Sequence, residues 1–174
     1  MAVREILHYP DPRLKQKARR VTEFNDALKQ LADDMVETMY AAPGVGLAAP
    51  QVGELKRLIV LDCSAKDEAD DLLVAVNPEI VTGEGECFEE EGCLSVPEYW
   101  ASVKRQAEVT MRYQDVTGEV HERCAAGLLA VGMQHEIDHL EGILFVDRLS
   151  PLKRSLFKKK YLKMQKEKAA ANDA

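Results

Sequence analysis

No stretch of this 174-residue sequence stays apolar for the roughly 18 residues that a membrane-spanning helix requires. The opening segment lacks the uninterrupted apolar core of a secretory signal, because charge arrives at Arg4 and proline at Pro10, and it lacks the bias of a transit peptide. The chain is therefore expected to work in the cytoplasm. Cys63, Cys87, Cys93 and Cys124 include no CxxC pair, and thiols in a chain without an export signal stay reduced. Internal repeats are absent, and no low-complexity tract precedes the Lys- and Ala-rich tail. The length suits one domain with a real core and is short for two.

What is present begins with charge. The net charge of −7 hides an asymmetry: residues 151–174 hold eight basic and two acidic side chains, +6, whereas the other 150 residues carry 15 basic and 28 acidic, −13. A basic appendage on an acidic body suggests contact with a polyanion, a solvated helix being the plain alternative.

The pattern of apolar residues predicts an α+β fold of mostly antiparallel strands packed around one central buried helix, with a further C-terminal helix. A first helix is expected from about Asn25, its cap, to Ala41, with Leu28, Leu31, Met35 and Met39 at helical spacing and Pro43-Gly44 as its stop. Residues 57–62 and 72–77 are short apolar runs of strand type, and Val109, Met111 and Tyr113 alternate as a half-exposed strand does. A second helix, from about Ala125 to Glu141 with Gly142 as its stop, is apolar on nearly all sides and belongs in the interior. Ser150-Pro151 opens the last helix. Residues 1–150 are read as a single domain and 151–174 as a basic helical extension.

The second helix carries HEIDH, residues 135–139. Residues four apart differ by about 40° around a helix axis, so His135 and His139 point the same way and can share one metal ion. Glu136 lies about 60° from His139, near enough to reach a water on that metal without being a ligand. A catalytic site needs a third protein ligand. Downstream of His139 there is no histidine, and Glu141, Asp147, Glu167 and Asp173 stand in no recognisable extension of the motif, so the third ligand is expected upstream. There EGCLSVP, residues 91–97, presents Cys93 in a short turn-like stretch. Further upstream GVGLAAPQ, residues 44–51, places two glycines where a backbone edge can meet a ligand, and Gln51 supplies an amide donor able to hold an oxyanion.

In this order GVGLAAPQ, EGCLS and QHEIDH resemble the three motifs of the peptide deformylase family. The likeness runs from HYPDPRL near the start to FVDRLSPLKR near residue 154. It implies Cys93, His135 and His139 as ligands of one divalent ion, Fe²⁺ by expectation, with Zn²⁺, Ni²⁺ or Co²⁺ able to substitute. It implies Glu136 as general acid/base, Gln51 and the backbone N–H of Leu94 as oxyanion donors, and Gly44, Val45 and Gly46 as the lining of a peptide cleft. The substrate implied is a formyl-Met nascent peptide, and the basic helix suggests the ribosome as partner. Neither a membrane nor DNA is expected.

Two departures from the family's pattern concern specificity. Tyr99-Trp100 stands where many bacterial relatives have an arginine, and Glu89 where they often have an apolar residue. Glu89 belongs to a run of five glutamates, Glu84, Glu86, Glu89, Glu90 and Glu91, read as mostly solvated. The alternatives are a zinc endopeptidase, which lacks a non-cysteine third ligand here, and a ribosome- or RNA-binding protein with a structural metal. The latter needs a fourth ligand from Cys87 or Cys124.

Overall fold

Leu28, Leu31, Ala32, Met35 and Met39 all turn inward from α1 (Asp26–Ala41), as their helical spacing predicts. In the computed structural model, which describes residues 2–173, the Asn25 side chain caps this helix by accepting the Leu28 N–H at 3.0 Å. α1 covers one side of a five-stranded antiparallel sheet. In chain order the strands are β1 (Gly46–Ala48), β2 (Leu58–Leu61), β3 (Leu73–Glu84), β4 (Cys87–Cys93), β5 (Val96–Arg105), β6 (Glu108–Gln114) and β7 (Val120–Ala126). The sheet order is β1-β2-β3-β6-β7, and β4 and β5 form a separate two-stranded hairpin. Every residue of β2 is buried, because both of its faces are covered.

The second cover is α2 (Gly127–Leu140), which touches β1, β2, β3, β6 and β7. Nine of its fourteen residues are buried, so the expected central helix is present. Its start differs from expectation. Ala125 and Ala126 remain in β7, paired with Val109 and Glu108. The chain turns from strand to helix at Gly127, whose φ of +63° a side chain would disfavour. The β4–β5 hairpin is also new, since residues 84–91 read as solvated acids. Its first strand, CFEEEGC, buries only Glu91 and so shows no apolar alternation.

α3 (Pro151–Asp173) begins beneath a Ser150 cap, whose Oγ lies 3.3 Å from the Lys153 nitrogen. Phe157 and Tyr161 are buried and Met164 half-buried, giving the apolar stripe that the sequence predicts. Phe157 packs against Tyr9 and Tyr99, with ring centroids 5.2 and 4.6 Å away, in a cluster with Leu14, Val103 and Phe145. The first half of α3 is thus seated on the rest of the fold, while residues 166–172 are exposed. No helix among the described residues is long and apolar enough to cross a membrane.

Candidate metal centre

α2 delivers His135 and His139, and the β4–β5 turn delivers Cys93 from the other side. One ligand atom from each of Cys93, His135 and His139 falls within 4.8 Å of the others. Cys93 Sγ lies 3.4 Å from His139 Nε2, and His135 Nδ1 contacts Glu91 Oε1 at 2.8 Å, leaving Nε2 for the cluster. A sulfur with two imidazoles suits zinc or ferrous iron. The upstream third ligand expected from the sequence is therefore in place. Two of the downstream acids are occupied elsewhere: Glu141 pairs with Arg57 at 2.8 Å, and Asp147 pairs with Lys15. Cys87 and Cys124, the candidates for a fourth ligand, are not in the group. Cys124 Sγ instead lies 3.2 Å from Thr110 Oγ1.

Glu136 stands beside this triad and outside it, with Oε1 3.9 Å from His135 Nε2. Its Oε2 is buried and meets no hydrogen-bond donor among the described residues. Burial pushes the Glu136 carboxyl up to about 7. Burial, followed by the neighbouring His135, holds His139 well below the usual imidazole range. Burial also opposes a charge on His135, but Cys93 and Glu91 outweigh it and raise this imidazole.

A short 3₁₀ turn, Ala49–Val52, fixes Gln51. Its Oε1 accepts the Ala48 N–H at 2.9 Å, which turns Nε2 toward Ser95 Oγ at 3.0 Å and Cys93 Sγ at 3.6 Å. A cleft of about 530 Å³ opens in front, lined by Gly44, Val45, Gly46, Leu94 and Glu136 among others. Gly46 permits a close approach: a Cβ there would sit 2.7 Å from Glu136 Oε1 and 2.8 Å from Leu61 Cδ2. Gly46→Ala must therefore displace the carboxylate, and kcat/KM is expected to fall by about 10²-fold. Steady-state kinetics with a folded variant checks this, and unchanged turnover would contradict the crowding.

The model of the polypeptide deformylase family matches residues 3–155. The chain belongs to that family. The peptide deformylase of Syntrophobacter fumaroxidans is 55% identical over 170 residues, covering 98% of this chain and 100% of the relative. A crystal structure of a peptide deformylase from Legionella pneumophila superposes with a TM-score of 0.89 at 48% identity, covering 97% and 98% of the two chains. A peptide deformylase from Ehrlichia chaffeensis in complex with actinonin gives 0.88 at 37% identity, covering 94% and 98%.

One part of this deformylase site escaped the sequence reading. Glu91, counted among the solvated glutamates, is 6% exposed. Arg105 grips it through two hydrogen bonds of 2.9 Å and reaches Asp138 at 2.6 Å. Arg148 closes on the same Asp138 at 2.5 and 2.7 Å. A buried relay thus runs from Arg148 through Asp138, Arg105 and Glu91 to His135, where the planar guanidinium of Arg105 suits two carboxylates at once. Although burial raises a carboxyl, Arg105 and His135 hold Glu91 below its ordinary value. The sequence around Glu91 carries no apolar alternation that would mark it as buried, and the strand register is irregular between Glu91 and Cys93. Of the two rim aromatics, Trp100 lines the cleft, whereas Tyr99 turns into the core against Phe157.

Proposed function

We propose that the chain removes the formyl group from formyl-methionyl nascent peptides with Cys93, His135 and His139 as ligands of one divalent ion, Fe²⁺ in the working enzyme. Zn²⁺, Ni²⁺ and Co²⁺ suit the same donors. When bound, the ion supplies a Lewis acid that acidifies water and polarises the formyl carbonyl. Glu136 takes the proton from the attacking water and later hands it to the departing amine, so the C–N bond breaks to give formate and a free amino terminus. The observation that carries this role is the buried Glu136 Oε2, which stands beside the ligand triad and meets no hydrogen-bond donor among the described residues. Gln51 Nε2 and the Leu94 N–H hold the carbonyl oxygen as it gains charge. The backbone of Gly44, Val45 and Gly46 lines the path of the peptide. Formate release from a formyl-Met peptide, with internal peptide bonds left whole, separates this reaction from endopeptidase activity.

Residues 1–150 form the catalytic unit in this reading, and 151–174 add a basic helix that docks on the ribosome. A cytoplasmic site of action follows. Support for docking comes from the geometry of the lysines. Lys168 pairs with Glu98 at 3.2 Å, and Lys160 lies over the Tyr99 ring at 5.8 Å. Lys159, Lys163 and Lys166 are exposed and, by helical spacing, face away from the buried stripe. Because deleting the helix would strip Phe157 and Tyr161 from the core, charge reversal is the cleaner test. Lys159→Glu/Lys163→Glu/Lys166→Glu is expected to abolish ribosome co-sedimentation at low salt while sparing hydrolysis of a short formyl peptide. Wild-type co-sedimentation is expected to weaken steeply with salt. Undiminished co-sedimentation of the triple variant would contradict docking through this face.

A further inference from the structure

Of the nine arginines that precede α3, seven pair with a carboxylate: Arg4, Arg13, Arg57, Arg105, Arg112, Arg123 and Arg148. The two without such a pair among the described residues are Arg19 and Arg20, and both line one cavity of about 490 Å³. Lys56 lines it as well and is likewise unpaired among the described residues. Backbone pairing holds these cations together. Arg19 and Lys56 are partners in a parallel bridge. The Arg19 N–H donates to the Leu55 carbonyl at 2.9 Å, and the Arg57 N–H to the Arg19 carbonyl at 3.0 Å. Ala18 and Val21 turn into the core, which leaves Arg19 and Arg20 in solvent between them. Two acids share the cavity wall. Glu54 reaches Arg4 at 3.3 Å, and Glu23 meets only the neutral Asn25 amide at 3.5 Å, so three cations stand against one unneutralised carboxylate. The cavity shares no lining residue with the catalytic cleft.

We propose that this cavity binds a phosphate group. Three unpaired cations side by side repel one another, and a dianion seated among them replaces that repulsion with attraction. Because residues 1–150 carry a charge of −13, an anion is repelled from most of the surface and drawn to this concave basic spot. The forked guanidinium groups of Arg19 and Arg20 match the acceptors of a tetrahedral phosphate, and Lys56 adds a compact charge. The Thr22 hydroxyl, on the same wall, is a further donor. Val21 and Leu55 give an apolar surface for the group that bears the phosphate, and the volume suits a small organic molecule.

The test titrates the Zn²⁺-loaded protein with inorganic phosphate at low salt and follows the backbone amides by NMR. Saturable shifts are expected at residues 19–23 and 53–56, with millimolar affinity that weakens as potassium chloride is added. The Arg19→Gln/Arg20→Gln/Lys56→Gln variant is expected to bind at least about tenfold more weakly, with metal content and formate release as in the wild type. Arg20→Gln alone, an exposed change, is expected to weaken binding about threefold and gives the same reading if the triple variant folds poorly. Adenosine monophosphate and a short oligouridine then identify the source of the phosphate. Tighter binding of the monophosphate at the same amides supports a small-molecule ligand, and tighter binding of the oligomer there supports a phosphate carried by RNA. Shifts that are absent from these amides, confined to the metal centre, or equally large along α3 overturn the proposal. Unchanged binding by the folded variants overturns it as well.

Discussion

Glu136→Ala is expected to keep its metal and to lose about 10²–10⁴-fold or more in turnover. The carboxylate is 5% exposed and stands outside the ligand group, so removing it leaves the sulfur and both imidazoles where they are. Among the described residues its Oε2 has no donor to lose, and burial already works against its charge, pushing the group up to about 7. Stability should therefore hold or rise in Glu136→Gln, because a buried ionisable group kept for chemistry burdens the fold. A purely structural carboxylate predicts the opposite: lower stability with activity per folded molecule retained. Metal analysis, thermal denaturation and kcat/KM on the two variants distinguish the roles. Loss of metal with near-normal activity per bound ion would contradict the assignment of Glu136 as proton carrier.

Arg105→Met is expected to be the most damaging substitution away from the ligands. The guanidinium is 2% exposed and is shared between Glu91 and Asp138. Removing it leaves Glu91 facing His135 without its guanidinium partner and Asp138 dependent on Arg148 alone, and stability should fall by about 3–5 kcal/mol. The loss also reaches the metal. Glu91 orients His135 through Nδ1, and loosening such an outer partner weakens metal affinity by about 10–100-fold. Arg105→Lys keeps the charge without the planar fork and should fall between wild type and Met. Arg148 is 42% exposed, so Arg148→Met should cost far less, about 1 kcal/mol. Denaturant titration and chelator competition measure both effects, and equal damage from the Arg105 and Arg148 variants would contradict Arg105 as the centre of the relay.

What could be read from the sequence was what repeats along it. The α1 face, the all-round apolar α2 carrying HEIDH, and the Phe157–Tyr161 stripe of α3 each show the helical period, and each is present. The Ala125–Ala126 pair favours a helix by propensity, but pairing with Glu108 and Val109 in the sheet overrode that preference. β4 was illegible because its one buried side chain is charged: Glu91 meets Arg105 of β5 in the interior, fourteen residues apart in sequence. No apolar alternation announces such a strand, and an ion pair across a hairpin is visible only once the register is known. The same gap hid the support beneath His135. The ligands themselves were recovered because HExxH fixes two of them by helix geometry, and resemblance to a family supplied Cys93.

The central claim is that one metal ion at Cys93, His135 and His139 drives formyl hydrolysis. The most direct test strips the protein with a chelator and returns Fe²⁺ without air, or Ni²⁺, while formate from formyl-Met-Ala-Ser is counted. Formate release is predicted to rise in proportion to added metal, to level off at one ion per chain, and to stay absent from Cys93→Ala under the same loading. Formate release that ignores the metal, or cleavage of internal peptide bonds with the formyl group left in place, would contradict the account.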